Sequence, residues 1–260
     1  MSRKVALITG ASAGLGEQFA QRFARDQHDV VLVARGAARL EALAAKLEKE
    51  HGVRAHVLPA DLARPEAPEQ LFARVKERGL AVDFLVNNAG FGSCGPFVDQ
   101  DLAGEAAMVE VNCTALLKLT HLFARDMRAR GAGRILNVAS TAGFQPGPYM
   151  ATYYATKAFV VSLSEAVAHE LKGTGVTVTC HCPGATHTEF ARRAGNDKSR
   201  LFQRSGVASA PEVVEHAYRA MMRGRVLTIH GALNALATFL VRFSPRAAVR
   251  AVAAGLNQQA

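Results

Sequence analysis

Three side chains with complementary chemistry fall close together in the 260-residue sequence: Ser140, Tyr153 and Lys157. Tyr153 and Lys157 stand four apart, so on a helix they share one face, roughly 6 Å apart along the axis. A free phenol has a pKa of about 10 and is a poor base at neutral pH. Bringing it close to 7 means favouring the phenolate by about three units, or ~4 kcal/mol. One ammonium at ~4 Å, with an effective dielectric near 20, supplies roughly that much. Lys157 is therefore expected to make Tyr153 a proton donor and acceptor. Ser140 is expected to hydrogen-bond the oxygen whose charge changes. Tyr154, three residues before Lys157, is the alternative phenol.

Such a set needs a rigid frame. Ser140 closes the apolar run Ile135 to Ala139; a Gly/Pro loop follows, then a segment free of Gly and Pro runs to Lys172. That pattern predicts strand, loop, helix. Further apolar runs lie at Val5–Thr9, Val30–Ala34, Ala55–Leu58, Phe84–Val86, Val176–Cys180 and Val226–Ile229. Most lack alternation, as expected of strands covered on both faces. Helix-like segments separate them, and Gly52, Gly79, Gly131, Gly173 and Gly224 are placed to stop helices. The alternation predicts one α/β domain over the whole chain: a doubly wound parallel sheet of Rossmann type with helices on both faces.

The first strand runs into Thr9-Gly10-Ala-Ser12-Ala-Gly14-Leu15-Gly16, where a helix opens. Glycines let the chain turn tightly and let a phosphate approach backbone N–H groups at a positive helix end. No lysine follows, so this is not a Walker loop. The spacing also differs from Gly-x-Gly-x-x-Gly.

With these motifs in this order, residues 4 to 190 resemble the short-chain dehydrogenase/reductase family. The resemblance implies hydride transfer between a nicotinamide and a carbonyl/alcohol pair on a small molecule, in a homodimer or homotetramer. It implies cofactor contacts at Gly10, Ser12, Gly14, Leu15 and Gly16, and at Asp61 for the adenine amino group. In Asn87-Asn88-Ala89-Gly90 it implies that Asn87, Ala89 and Gly90 flank the adenosine side. Asn112 matches the helix asparagine that holds a relay water, and Ser140, Tyr153 and Lys157 match the other catalytic positions. Lys157 would also bind nicotinamide ribose. Pro183, Gly184, Thr186 and Thr188 resemble the segment beside the nicotinamide. The thirteen-residue gap from Ser140, usual in the family, favours Tyr153 over Tyr154.

An NAD enzyme would show Asp or Glu about 20 residues past the glycine turn, gripping the ribose 2′-hydroxyl. Here the strand ends Val33-Ala34-Arg35, with no acid before Glu41. An acid would repel a 2′-phosphate, whereas Arg35, aided by Ser12 and Arg39, would pair with it. NADP(H) is expected rather than NAD. The rival reading is a non-catalytic NADP-binding regulator of the same fold, for which the Asn-Ser-Tyr-Lys set would be superfluous.

The family's substrate lid would span Glu189 to Ala210. Its Arg192, Arg193, Lys198, Arg200 and Arg204 suit an acidic substrate or simply a solvated loop, while Phe91, Phe144, Tyr149, Met150 and Phe190 offer apolar lining. Net charge is +9, and no acid follows Glu215, whereas Arg219, Arg223, Arg225, Arg242, Arg246 and Arg250 do. Such a balance permits anionic ligands, a membrane surface or nucleic acid. Without a reading helix or an aromatic RNA platform, nucleic acid is not expected. From Leu233 to Leu256, apolar residues at helical spacing and arginines every four residues predict an amphipathic extension. It would lie on a membrane surface, cover the substrate site or meet another subunit. Ser244-Pro245 reads as an N-cap and first helical residue.

Cys94, Cys113, Cys180 and Cys182 make no disulfide framework. In the alternating run Val176 to Cys182, His181 would point away from both neighbouring thiols, so no metal is expected there. No 18-residue apolar run exists. The first strand-like run is too short for a signal peptide. A cytoplasmic location is therefore expected.

Overall fold

The computed structural model describes residues 3–197, 199–200 and 207–258. Parity along each strand decides which helices it meets. In β1 (Val5–Thr9), Ala6 and Ile8 face α1 (Gly14–Arg25), while Leu7 faces the opposite layer. Val30 and Leu32 of β2 (Asp29–Val33) join the first layer, with Phe19 and Phe23 of α1 and with Leu40 and Leu47 of α2 (Ala37–His51). Val31 and Val33 join the second, with Leu71 and Val75 of α3 (Ala67–Glu77) and Phe123 of α5 (Leu116–Arg130). Both faces of each strand are thus dry, which is why the runs do not alternate.

The remaining strands of this sheet are β3 (Ala55–Val57), β4 (Val82–Asn87), β5 (Gly133–Val138), β6 (Val176–Cys182) and β9 (Leu227–Ile229). All seven are parallel, in the order β3-β2-β1-β4-β5-β6-β9. The winding reverses between β1 and β4, which opens a crevice at the carboxyl ends of those strands. The doubly wound Rossmann-type sheet is therefore present. Gly52 and Gly131, at φ +65° and +69°, end α2 and α5 in the left-handed conformation that glycine adopts without a steric penalty.

Helix α4 (Leu102–Val109) runs into α5 through one π-helical turn, Glu110–Ala115, which carries Asn112. Helix α6 (Ala151–Glu170) carries Tyr153 and Lys157. After β6, a two-stranded ribbon pairs β7 (Thr186–His187) with β8 (Ala208–Ser209), and α7 (Glu189–Ala194) and α8 (Ala210–Met222) follow these strands.

The extension is two helices, α9 (Ala232–Val241) and α10 (Arg246–Asn257). Ser244 does not cap α10. Its hydroxyl donates back to the Leu240 carbonyl at 2.9 Å, closing α9, and Pro245 takes the N-cap position. The Ser-Pro pair marks the break, but the serine serves the helix before it.

Candidate active site

Ser140 leaves β5 in extended conformation and starts the short turn Thr141–Phe144. Its Oγ accepts from the Ala142 N–H at 3.1 Å and donates to the Pro183 carbonyl at 3.4 Å, tying this loop to the one after β6. Lys157 is buried. Its Nζ donates to the Val138 carbonyl at 2.8 Å and lies 5.6 Å from the centroid of the Tyr153 ring. Tyr153 packs against Phe190 of α7, with ring centroids 5.2 Å apart. Serine, phenol and ammonium therefore converge at the carboxyl edge of the sheet. Tyr154 turns the other way, and its hydroxyl donates to Asn257 Oδ1 at 3.1 Å.

The electrostatics depart from the sequence expectation. Burial pushes the Tyr153 phenol well above its ordinary 10, and hydrogen bonding with Ser140 only partly opposes the rise. Burial also pulls Lys157 down to about 8, against the weaker pull of Cys180, Cys113 and Cys182. Both shifts have one cause: a charge in this dry corner loses hydration that its neighbours do not replace. The phenol is thus held in its protonated form, and Lys157 does not bring its pKa down towards neutral.

Asn112 Nδ2 donates to the Phe91 carbonyl at 2.9 Å and to Thr156 Oγ1 at 3.1 Å, and its Oδ1 accepts from the Phe91 N–H at 3.1 Å. Thr156 in turn donates to the Tyr153 carbonyl at 2.7 Å. Asn112 therefore ties the loop after β4 to the turn of α6 that carries the phenol. A π turn at such a position is a usual sign of a functional helix.

The glycine turn fits a dinucleotide. Gly10 and Gly14 take φ of +67° and +59°, and a Cβ on Gly16 would drive into the Gly10 carbonyl. Ala13, at the N-cap of α1, offers no side-chain acceptor, so the first N–H groups of the helix are left for an anion. Ser12 and Leu15 lie half-buried in this turn, and Thr188 stands over Gly14. A Cβ on Gly90 would meet Asn112 Oδ1 at 3.0 Å and Lys157 Nζ at 3.6 Å, so this backbone floors the site. Ala89 N–H donates to Thr9 Oγ1 at 3.0 Å.

Two residues expected at the cofactor have protein partners in the structure. The Asn87 side chain is buried, and its Nδ2 donates to Thr120 Oγ1 at 3.0 Å and Asn137 Oδ1 at 2.9 Å. A polar side chain at the strand end is used to brace β4 against β5 and α5. Asp61 is half-buried at the crevice edge after β3, but one carboxylate oxygen is used locally, accepting from Ala63 N–H at 3.2 Å.

On the substrate side, Thr186 donates to the Gly184 carbonyl at 3.0 Å, and Thr188 caps α7 by accepting from Phe190 N–H at 3.2 Å. Pro183 accepts from Thr141 N–H at 2.9 Å. Gly184 has no room for a Cβ because the Asn234 amide of α9 lies there. In the segment expected to form the lid, Arg193 pairs with Glu189 at 2.7 Å and Arg192 with the same carboxylate at 4.0 Å. Part of its positive charge is thus already answered. Lys198 and Arg204 lie outside the described residues. Met150 is buried, and Tyr149, at φ +67°, gives its carbonyl to Gly95 N–H at 2.8 Å.

Sequence reasoning missed Asn88, whose Nδ2 donates to the Thr9 carbonyl at 2.9 Å and so zips the glycine turn to β4. It also missed Thr156, Asn234 and Asn257. Their partners lie 44, 50 and 103 residues away, and local pattern carries no trace of such pairings.

A sequence model of short chain dehydrogenases matches residues 4–199. The 7beta-hydroxysteroid dehydrogenase of Collinsella aerofaciens is 36% identical over 182 residues, 70% of this chain and 68% of that one. A short-chain dehydrogenase from Sphingobium yanoikuyae in complex with NADPH superposes with a TM-score of 0.83 at 40% identity, over 92% of this chain and 93% of that one. A short chain dehydrogenase/reductase from Burkholderia phymatum in complex with NAD gives 0.82 at 27% identity, over 92% of both chains. The chain therefore belongs to the short-chain dehydrogenase/reductase family of oxidoreductases.

Proposed function

We propose that this oxidoreductase works as an NADP(H)-dependent carbonyl reductase, with Tyr153 as the proton donor. The observation that carries the reading is the convergence of Ser140, Tyr153 and Lys157 beside the glycine turn. When bound, the nicotinamide supplies or accepts the hydride. Tyr153 holds the proton that passes to the carbonyl oxygen, and Ser140 hydrogen-bonds that oxygen. Burial keeps the phenol in its protonated form, the one that has a proton to give. Lys157, anchored on Val138 and 5.6 Å from the centroid of the Tyr153 ring, would bind nicotinamide ribose. Asn112 positions α6 and holds the relay water. A non-catalytic regulator has no observation in its favour.

The preference for NADP(H) over NAD rests on the end of β2. Arg35 is exposed there, Gly36 caps α2 without a side-chain acceptor, and the first turn of α2 holds no acid. A 2′-phosphate would meet a guanidinium and a positive helix end. Exposed Leu102, Val109, Leu117 and Phe159 on α4, α5 and α6 support a homodimer or homotetramer. We place the protein in the cytoplasm, with its C-terminal helices at a membrane surface. Consumption of NADPH and of NADH is to be followed over a panel of ketones, aldehydes and ketoacyl thioesters. Turnover with NADPH on any of them supports the reading, and turnover confined to NADH overturns the cofactor assignment.

A further inference from the structure

Helix α9 is built inside out. Thr238 is buried, Asn234 is half-buried, and the Asn234 amide donates to the His230 carbonyl at 2.8 Å. On the opposite side Leu233, Leu236, Phe239 and Leu240 are 83%, 54%, 52% and 50% exposed, and Phe243 just beyond is 73% exposed. At 100° per residue these five fill an arc of roughly 120°. A helix facing water carries the reverse pattern, so this face is shaped for an apolar cover. Phe239 and Phe243 form an edge-to-face pair with centroids 5.3 Å apart. Arg242 follows α9 directly, Arg246 and Arg250 lie in the first turns of α10, all three are exposed, and no acidic residue follows Glu215 in the sequence.

Deepening the membrane contact proposed above, we propose that the α9–α10 pair docks in the plane of an anionic lipid surface. The Leu/Phe face would enter the headgroup boundary while the three arginines meet lipid phosphates and carboxylates. Charge selects this occupant over a second copy of the chain. A two-fold contact would set the same patch against itself and leave its arginines with no acidic residue of that patch to pair with. The geometry makes the contact peripheral: ten residues of helix reach about 15 Å, half the thickness of a bilayer core. Among the described residues no helix is long and apolar enough to cross a membrane. The inward face meets Gly184 through Asn234, so the docked helix stands over the substrate side of the crevice.

The intact chain is to be floated with vesicles of phosphatidylcholine alone or mixed with phosphatidylserine. Flotation with the mixed vesicles only is expected. The Phe239→Ser/Phe243→Ser and Arg246→Glu/Arg250→Glu pairs should weaken it about tenfold or more, with unchanged melting temperature. Flotation that is absent, or equal with both lipids, overturns the proposal. So does a fall in solution mass in the phenylalanine pair, which would mean that a second copy covers the face. An independent readout uses the absence of tryptophan from the sequence. Phe239→Trp emission should shift to the blue with mixed vesicles, whereas Leu117→Trp emission should not. An unshifted Phe239→Trp overturns the docking face. NADPH turnover in the same variants separates this failure from failure of the catalytic reading, since none of the substituted residues lies in the crevice.

Discussion

The Tyr154 hydroxyl and the Asn257 side chain are hydrogen-bonded at 3.1 Å, joining α6 to the last turn of α10. The same asparagine donates to the Pro148 carbonyl at 2.9 Å, and Gln258 donates to the Tyr149 hydroxyl at 3.0 Å. The end of the described chain therefore clasps the loop between Ser140 and Tyr153, where Tyr149 holds its left-handed conformation. A non-glycine residue held so costs on the order of 1–3 kcal/mol and persists only where its surroundings fix it. Asn257→Ala removes one buried and one part-buried hydrogen bond and should cost about 1–3 kcal/mol in urea unfolding. KM should rise several-fold more than kcat falls, because the substrate loop loosens while Tyr153 and Lys157 keep their helix. Equal loss in both constants would place Asn257 in the chemistry instead.

The two adjacent tyrosines separate by partner. Tyr153→Phe keeps the packing on Phe190 but deletes the proton donor, so turnover should fall by about a hundredfold to ten-thousandfold with cofactor affinity intact. Tyr154→Phe deletes only the bond to Asn257 and should cost about 1 kcal/mol of stability. Steady-state kinetics beside cofactor titration of both variants is decisive. Full activity in the first with loss in the second would transfer the proton chemistry to Tyr154.

Lys157 is a charge held against its own hydration. Its folded pKa of about 8, against 10.5 for the free side chain, means that the native state binds fewer protons than the unfolded chain between those values. Stability contributed by this group therefore rises as pH climbs from about 8 to 10.5, and the cost is fully present below 8. At neutral pH that cost is roughly 3 kcal/mol, offset in part by the bond to Val138. Lys157→Met should be inactive yet more stable by about 1–3 kcal/mol at pH 7. Its advantage should shrink through pH 8 to 10.5 in thermal melts. A gap that does not change with pH would show that Lys157 is not desolvated in the native state.

The elements that place the site are legible because each has a local cause. Apolar runs dry on both faces became strands, and the glycines of Thr9 to Gly16 became a turn that leaves no room for a Cβ. Four-residue spacing set Tyr153 and Lys157 on one helix. What the sequence hid is non-local. Asn87 and Asn88 are adjacent and chemically identical, yet one braces the core and the other the glycine turn, because strand pleat sends them opposite ways. The direction of the Tyr153 shift depends on burial against Phe190 and the loops, which no spacing reveals. The polar inward face of α9 was equally invisible: periodicity finds a stripe but does not say which way it points.

Arg39 lies across the crevice edge from Glu189, their charged groups 3.5 Å apart, while Arg35 stands exposed at the end of β2. Glu189 also holds Arg193 at 2.7 Å, so the first residue of α7 divides its charge between its own helix and the arginine expected to help bind a 2′-phosphate. These groups are largely in water, and each pair contributes little, about 0–1 kcal/mol. Glu189→Gln should therefore free Arg39 and tighten NADPH binding by only about two- to fivefold. Arg35→Asp should act more strongly, because it replaces a charge-assisted contact with repulsion. Its NADPH affinity should fall about tenfold to a hundredfold while NADH affinity holds or improves. Fluorescence titration of both cofactors against both variants checks the pair of expectations. Unchanged NADPH affinity in Arg35→Asp, with NADH still poor, would remove the end of β2 from cofactor choice and leave Arg39 and the lid to account for it.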